Sequence, residues 1–138
     1  WPMKALDDRV AVLMTRNPID KATLLLGFAD ERLVAGFDMV ENDEFEEGLH
    51  ALERSEEYLS ESLEVLTTRE DAVSVVLKIN SSSLKHRELM EKVLILSPDD
   101  ARVYVNAILD KTKLVYKESR VYLESHNSQA LPNPFETN

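Results

Sequence analysis

The sequence lacks cysteine altogether and has only three glycines and five prolines in 138 residues. The absence of cysteine excludes a disulfide framework, a thiolate metal site and a cysteine nucleophile, although it fits a reducing or an oxidising compartment equally well. Glycine and proline fall mostly near the ends of periodic segments, which indicates few, long helices. No apolar run is long enough to span a bilayer, so we expect membrane attachment only through a segment outside this chain.

Basic residues are scarce in residues 30–71. The net charge is −10, and residues 30–71 hold 15 of the 26 acidic residues but only three arginines, which leaves −12 in that segment. A domain this acidic repels nucleic acid and anionic lipid surfaces, so we expect no nucleic-acid partner. Solvated helix faces explain most of the charge, and a basic partner or a cation is the remaining interpretation.

Apolar residues recur at alternating steps of three and four in five segments, which predicts helices at about residues 3–14, 18–40, 44–66, 69–96 and 98–125. Leu33 and Leu59 are expected in the core. The third segment places Glu56 at such a core position, and the fourth places His86 there. The polar run Asn80–Ser83 is a predicted weak point of the fourth helix, with a split into two helices as the alternative. In the first segment, the predicted apolar side consists of Leu6, Val10, Leu13 and Met14.

Polar residues at the breaks predict the helix caps. Asn17 is the predicted cap of the second helix, with Pro18 at its first position. Asn42-Asp43 and Thr68 are the predicted caps of the third and fourth helices, and Ser97, followed by Pro98, is that of the fifth.

Helices of more than twenty residues joined by short turns must fold back on one another. The expected fold is therefore all-α: an antiparallel up-down bundle of four to five helices with a left-handed twist and no sheet. We expect a single bundle domain over residues 1–126. The tail, residues 127–138, has no periodicity and is expected to be extended or disordered.

Candidate chemistry is sparse. Glu47 and His50 have the Glu-x-x-His spacing of di-iron bundles, but such a site needs two of these motifs and two further glutamates. His86 is expected to be a buried histidine that hydrogen-bonds across the bundle rather than a ligand or a base. Glu47, His50 and His86 are thus the only metal candidates, and we expect neither a metal nor a cofactor. His126 is expected to cap a helix C-terminus.

Several segments resemble an uncharacterised bacterial family, a domain of unknown function. Residues 1–10, WPMKALDDRV, are similar to its Trp/Tyr-Pro-x-Lys entry, and residues 17–22, NPIDKA, to its next helix start. Residues 28–33, FADERL, resemble its Ala-Asp-x-Arg-Leu block, and residues 97–101, SPDDA, its last helix pair. Gly27, Gly36 and Ser81–Ser83 depart from the family, which tends toward alanine, glutamate and leucine there.

The resemblance implies an extracytoplasmic helical bundle, usually following an N-terminal membrane segment, with no established activity. The chain begins with Trp1-Pro2 rather than methionine, which we interpret as a piece of a longer or processed protein. The predicted function is a non-enzymatic module of the bacterial cell envelope, or a secreted one, that contacts a protein partner or has a structural role. The alternative is a bundle that senses a small ligand or a metal cation. The partner and the oligomeric state do not follow from the sequence.

Overall fold

The structure, a computed structural model, describes the backbone of residues 2–136 and the side chains of residues 6–136. Its elements are α1 (Pro2–Met14), α2 (Pro18–Glu41), α3 (Phe45–Glu64), α4 (Val73–Leu96), a short 3-10 turn (Asp99–Ala101) and α5 (Arg102–Ser125). Over these described residues there is no strand, and the predicted all-α antiparallel bundle is confirmed. The fourth helix is continuous through Asn80–Ser83.

The four long helices form two hairpins that pack side by side. α2 packs along α3, and α4 packs along α5; between the hairpins, α3 lies against α5 and α2 against α4. Among the described helices α2 and α5 do not approach each other, and α3 and α4 have only a few contacts, so these pairs are the diagonals. Successive helices still run in opposite directions. The two pairs of neighbours that join the hairpins, α2 with α4 and α3 with α5, therefore run parallel.

The core consists of two apolar clusters, one at each end of the bundle. The first lies where α2 begins and α3 ends, and it includes Leu25, Leu59, Ile79 and Leu123. The second lies where α2 ends and α3 begins; its buried members are Leu33, Val40, Leu49, Leu52, Met90, Val93, Val105, Ile108 and Leu109. The predicted burial of Leu33 and Leu59 is confirmed, with 2% and 0% exposure.

The apolar side of α1 faces solvent rather than the bundle. Leu6, Val10, Leu13 and Met14 are 64%, 49%, 73% and 77% exposed. The side of α1 that faces the bundle instead carries Val12, buried in the first cluster, and Asp8. The physical reason is Arg32 of α2, which is fully buried and requires a carboxylate partner in the interior.

Three of the four predicted caps are wrong. Asn17 does cap α2, because its side chain accepts hydrogen bonds from the amides of Ile19 and Asp20 at 2.8 and 3.2 Å. Asn42-Asp43 ends α2 rather than capping α3: Asp43 has φ 64°, and the Glu44 amide donates to the Met39 carbonyl. This is a Schellman motif, which satisfies the last carbonyls of a helix.

The remaining two corrections concern Thr68 and Ser97. α4 begins at Val73, four residues later than predicted, and Ala72 precedes it without a side-chain cap. Ser97 donates back to the Val93 carbonyl at 2.6 Å, so its hydroxyl closes the end of α4 rather than the start of α5. The 3-10 turn separates Pro98 from α5 and makes the predicted cap geometry impossible.

Two glycines let α2 and α3 approach closely. A Cβ atom on Gly48 would lie 2.9 Å from the Gly36 carbonyl oxygen and 3.0 Å from the Val40 amide nitrogen. A Cβ on Gly36 would meet the Leu52 side chain at 2.8 Å. The nearest neighbour of a Cβ on Gly48 would be the Val40 side chain, with Cγ2 at 2.7 Å. Because the other two contacts are with backbone atoms, which cannot rotate away, a side chain at Gly48 forces the helices apart.

Gly48→Ala should therefore destabilise the protein by about 1–3 kcal/mol, since overpacking outweighs the gain in helix propensity. The matched control is Gly27→Ala, whose added methyl group meets nothing within 4 Å. It should stabilise the protein by about 0.5–1 kcal/mol. Urea unfolding of both variants measures this, and a Gly48→Ala protein as stable as Gly27→Ala would contradict the close packing.

Candidate functional site

A chain of polar side chains crosses the middle of the bundle, between the two apolar clusters. Its main members are Asp30 of α2, Glu56 of α3, His86 of α4 and Thr112 of α5, one from each long helix. Glu56, His86 and Thr112 are completely buried. We call these four residues the polar layer.

His86 lies at the centre of the polar layer and contacts a carboxylate on each side. Its Nδ1 lies 2.7 Å from Glu56 Oε2, and its Nε2 lies 2.8 Å from Asp30 Oδ1. An ionised carboxylate only accepts hydrogen bonds, so with both carboxylates ionised both ring nitrogens donate. The two contacts fit a protonated imidazolium, which links α4 to α3 and to α2.

Hydroxyl groups complete the coordination of Glu56. Thr112 Oγ1 donates to Glu56 Oε1 at 2.5 Å, and this bond joins α5 to α3. Ser55 Oγ lies 2.8 Å from both Glu56 Oε2 and the Ala29 carbonyl oxygen, and its single proton can go to either acceptor. Both oxygens of the buried carboxylate are thus hydrogen-bonded, as a buried charge requires.

Asp30 forms the outer end of the polar layer. Its side chain is 54% exposed, while its Oδ1 also accepts a hydrogen bond from Ser82 at 2.5 Å. Burial alone would raise the pKa of Asp30, but the hydrogen bonds from His86 and Ser82 outweigh it and lower that pKa. Within the polar layer one cation and one anion are then buried, and the second anion reaches water.

The carboxylates also set the protonation of His86. Burial on its own would lower the pKa of the imidazole. The charge of Glu56 and the hydrogen bonds to Asp30 and Glu56 outweigh burial and raise the pKa from 6.5 to about 9. His86 is therefore charged at neutral pH, in agreement with the two donated hydrogen bonds.

Both ring nitrogens of His86 are engaged by carboxylates. A general base needs a free lone pair on nitrogen, and a metal ligand needs one too, but both nitrogens of His86 carry donated protons. Four of the surface clefts on the described part of the chain are lined by residues other than Glu56, His86 and Thr112. The polar layer joins the four long helices through these hydrogen bonds.

The predicted candidates are not brought together. His86 is buried and hydrogen-bonds across the bundle, as expected. Glu47 and His50 are exposed near the start of α3, away from the polar layer. Over residues 6–136 no group of three or more His, Asp or Glu side chains is suited to holding a metal ion.

His126, the third histidine, closes the end of α5 as predicted. Its ring stacks on Tyr122 with centroids 3.9 Å apart, and its Nδ1 lies 2.7 Å from the Tyr122 carbonyl oxygen. The chain then turns at Asn127, which has φ 59°. The His126 Nε2 also lies 3.4 Å from Glu70 Oε2, so this residue links the end of α5 to the connection between α3 and α4.

The sequence reasoning recognised Glu56 and His86 as unusual core positions but did not pair them, and it missed Asp30, Ser55 and Thr112 as partners. A usable signal exists. Glu56, His86 and Thr112 each lie within two residues of the midpoint of their helix. In an up-down bundle of equal helices, midpoints share one height, so polar residues at these three core positions are expected to meet.

Comparisons with known proteins add no relative from which a role can be taken. No family model matches the chain, and neither the curated proteins nor the solved structures give a significant match. The resemblance to the uncharacterised bacterial family stays a prediction.

Removing one member of the central pair should cost more than removing both. Glu56→Leu removes the buried counterion of His86, and His86→Leu leaves the buried Glu56 carboxylate without its cation, so either should cost about 3–5 kcal/mol. In the double variant Ser55 still reaches the Ala29 carbonyl, and Thr112 lies 3.4 Å from the Ile108 carbonyl. The double variant should therefore be more stable than either single one. Losses that add in a double-mutant cycle of urea unfolding would show that the two residues are not coupled.

Stability should fall as the pH rises above neutrality. The pKa of His86 is higher in the folded state, at about 9, than the usual 6.5, so the folded protein holds this proton more tightly. The stabilisation is complete below about pH 6.5 and is lost as the pH rises towards 9. Urea midpoints between pH 6 and 10 measure the decline. The His86→Leu/Glu56→Leu protein is the control, and an equal decline in both would assign it to other groups.

Proposed function

We propose that this protein is a non-enzymatic helical module that binds a protein partner through α1. The observation that supports the proposal is the apolar stripe on α1, formed by Leu6, Val10, Leu13 and Met14, which faces outward. The polar layer offers no accessible reactive group and supports a structural role for the interior.

The α1 stripe has the spacing of a docking face. Positions 6, 10, 13 and 14 lie on one side of a helix, because residues three and four apart are neighbours on its surface. Single exposed apolar residues are common on monomers, but a contiguous stripe of four large ones is typical of an interaction site.

The attachment of α1 fixes which side faces outward. Asp8 Oδ2 and Arg32 Nη2 lie 2.6 Å apart, and both side chains are almost fully buried. Val12 packs into the first cluster one turn later, and Arg9 forms an ion pair with Glu61 at 3.1 Å. Turning α1 over would expose Val12 and leave Arg32 without Asp8, so the bundle itself opposes burial of the stripe.

The chemistry of the surface suggests the kind of partner. An apolar helix face pairs with another apolar stripe or groove. The net charge of −10, most of it in residues 30–71, favours a partner with basic residues beside its apolar contact. We propose a helical partner of that composition.

The location is a further part of the proposal. We propose that the protein lies outside the cytoplasm, in the bacterial envelope or as a secreted protein. This location is supported by the resemblance of short motifs alone. Among the described residues no helix combines the length and hydropathy needed to cross a membrane. Digestion of the full-length protein by a protease added to intact cells would support an extracytoplasmic location, and protection until the cells are lysed would contradict it.

The metal-sensing alternative has less support. It needs His50, His86 or the acidic helix to bind the cation. His86 already donates from both nitrogens, and His50 lies elsewhere on the exposed surface. Among the described residues, the acidic ones form no group of three or more suited to holding a metal ion. A zinc- or copper-dependent rise in Tm that is abolished by His50→Ala or His86→Ala would favour this alternative over the interaction module.

A photo-crosslinking amino acid at Leu13 should yield one discrete protein adduct in cells of the native organism, because Leu13 is 73% exposed in the stripe. The same amino acid at Val103, which is 82% exposed on α5, is the matched control and should yield none. Adding Leu6→Gln and Val10→Gln should abolish the Leu13 adduct while changing stability by no more than about 0.5 kcal/mol. Equal adducts at the two positions, or none at Leu13, would contradict the proposal.

A further inference from the structure

The tail folds back onto the groove between α4 and α5. Residues 127–136 form neither helix nor strand, yet Leu131 is bound at both of its backbone polar groups. Its amide donates to Asn80 Oδ1 at 3.0 Å, and its carbonyl accepts from the Tyr116 hydroxyl at 2.5 Å. The side chain of Leu131 is 41% exposed, so the groove binds the backbone rather than the side chain at this position.

The groups that hold Leu131 are fixed in place by the bundle. Asn80 is completely buried, and its Nδ2 donates to Ser119 Oγ at 2.9 Å, which leaves its oxygen directed at the tail. Tyr116 is only 7% exposed. Burying an amide in a helix interior is unfavourable unless its hydrogen bonds are satisfied, and Asn80 has its oxygen satisfied by the tail.

Two further contacts follow along the same groove. The guanidinium of Arg87 stacks on the ring of Phe135 at 4.5 Å from the centroid. Arg120 lies 3.4 Å from a carboxylate oxygen of Glu136. The Asn133 side chain accepts from the Phe135 amide at 2.9 Å, which turns the chain so that the ring meets Arg87.

We propose that the groove between α4 and α5 is a peptide-binding site and that the tail is its resident ligand. The ligand class is an extended peptide that presents a free backbone N–H and C=O at one residue, an aromatic ring four residues later and then a carboxylate. A peptide with these features displaces the tail and takes its contacts. This site shares no residue with the α1 stripe, so each proposal can fail without the other.

The test uses the full chain with Leu131→Pro, because proline lacks the amide that Asn80 accepts. A labelled peptide with the sequence of residues 128–138 should bind this variant at least tenfold more tightly than it binds the wild-type chain, in which the tail competes at high effective concentration. Fluorescence anisotropy measures both affinities. Carboxypeptidase should also trim the Leu131→Pro tail faster than the wild-type tail.

The control peptide carries N-methyl leucine at the position of Leu131, which removes the N–H and keeps the side chain. It should bind the Leu131→Pro chain about tenfold or more weakly than the unmodified peptide, because Asn80 is left with an unsatisfied buried oxygen. Adding Tyr116→Phe to that chain should weaken binding of the unmodified peptide as well. Equal binding of the two peptides, no binding to the Leu131→Pro chain, or an equally protected tail in that chain would overturn the proposal.

Discussion

The rest of the structure depends on the contact between the buried His86 imidazolium and the Glu56 carboxylate. It crosses a diagonal of the bundle, from α4 to α3, where the helices otherwise scarcely meet. Asp30 and Thr112 extend it to α2 and α5. Apolar packing holds each hairpin together without choosing one register, since leucines can slide past leucines. A charged pair whose partners must meet at one height removes that freedom, which is the best-attested use of buried polar groups.

The two hairpins differ in how they are packed internally. In the first hairpin, the glycines at positions 36 and 48 bring α2 and α3 close enough for backbone atoms to touch. The second hairpin holds the buried amide of Asn80 and hydroxyls of Ser83 and Ser119. These polar groups open a place for the tail between α4 and α5. Close packing on one side and a polar lining on the other explain why the tail docks where it does.

Much of the fold follows from the sequence, because the spacing of apolar residues fixes which face of a long helix is buried. It does not fix the buried face of α1, which is short and contributes Val12 and Asp8 rather than its leucines to the interior. Apolar spacing predicts burial only when the helix has a choice of faces, and the buried guanidinium of Arg32 removes this choice. The caps failed for a related reason: Ser97 and Asp43 satisfy the end of the preceding helix, and residue type alone does not tell which helix they serve.

The polar layer could have been predicted in part. Glu56 and His86 were recognisable as polar residues at core positions, and their places at mid-helix put them at one height. Asp30 was not recognisable, since it follows the core residue Ala29 on a face that reads as solvent-exposed. It joins the site because α2 and α4 are neighbours and the Nε2 of His86 on α4 points at Asp30 on α2. Such a contact depends on which helices are neighbours in the bundle. The arrangement of helices is a tertiary property, and helical periodicity does not predict it.

The buried charged residues also determine which apolar side chains lie on the surface. The polar layer satisfies its own members, because each carboxylate and the imidazole find hydrogen-bond partners within the bundle. The ion pair of Asp8 and Arg32 then has two consequences at once: it anchors α1 with a minimum of apolar contact, and it turns the remaining apolar residues of α1 to solvent. Among the described side chains of α1, only one ion-paired aspartate and one valine are buried, so attaching this short helix takes up little of the bundle's interior. The apolar stripe is left on the surface, where a partner can bury it. The strongest electrostatic contacts of the molecule thus lie inside, and they position apolar surface outside, where it can meet a second protein.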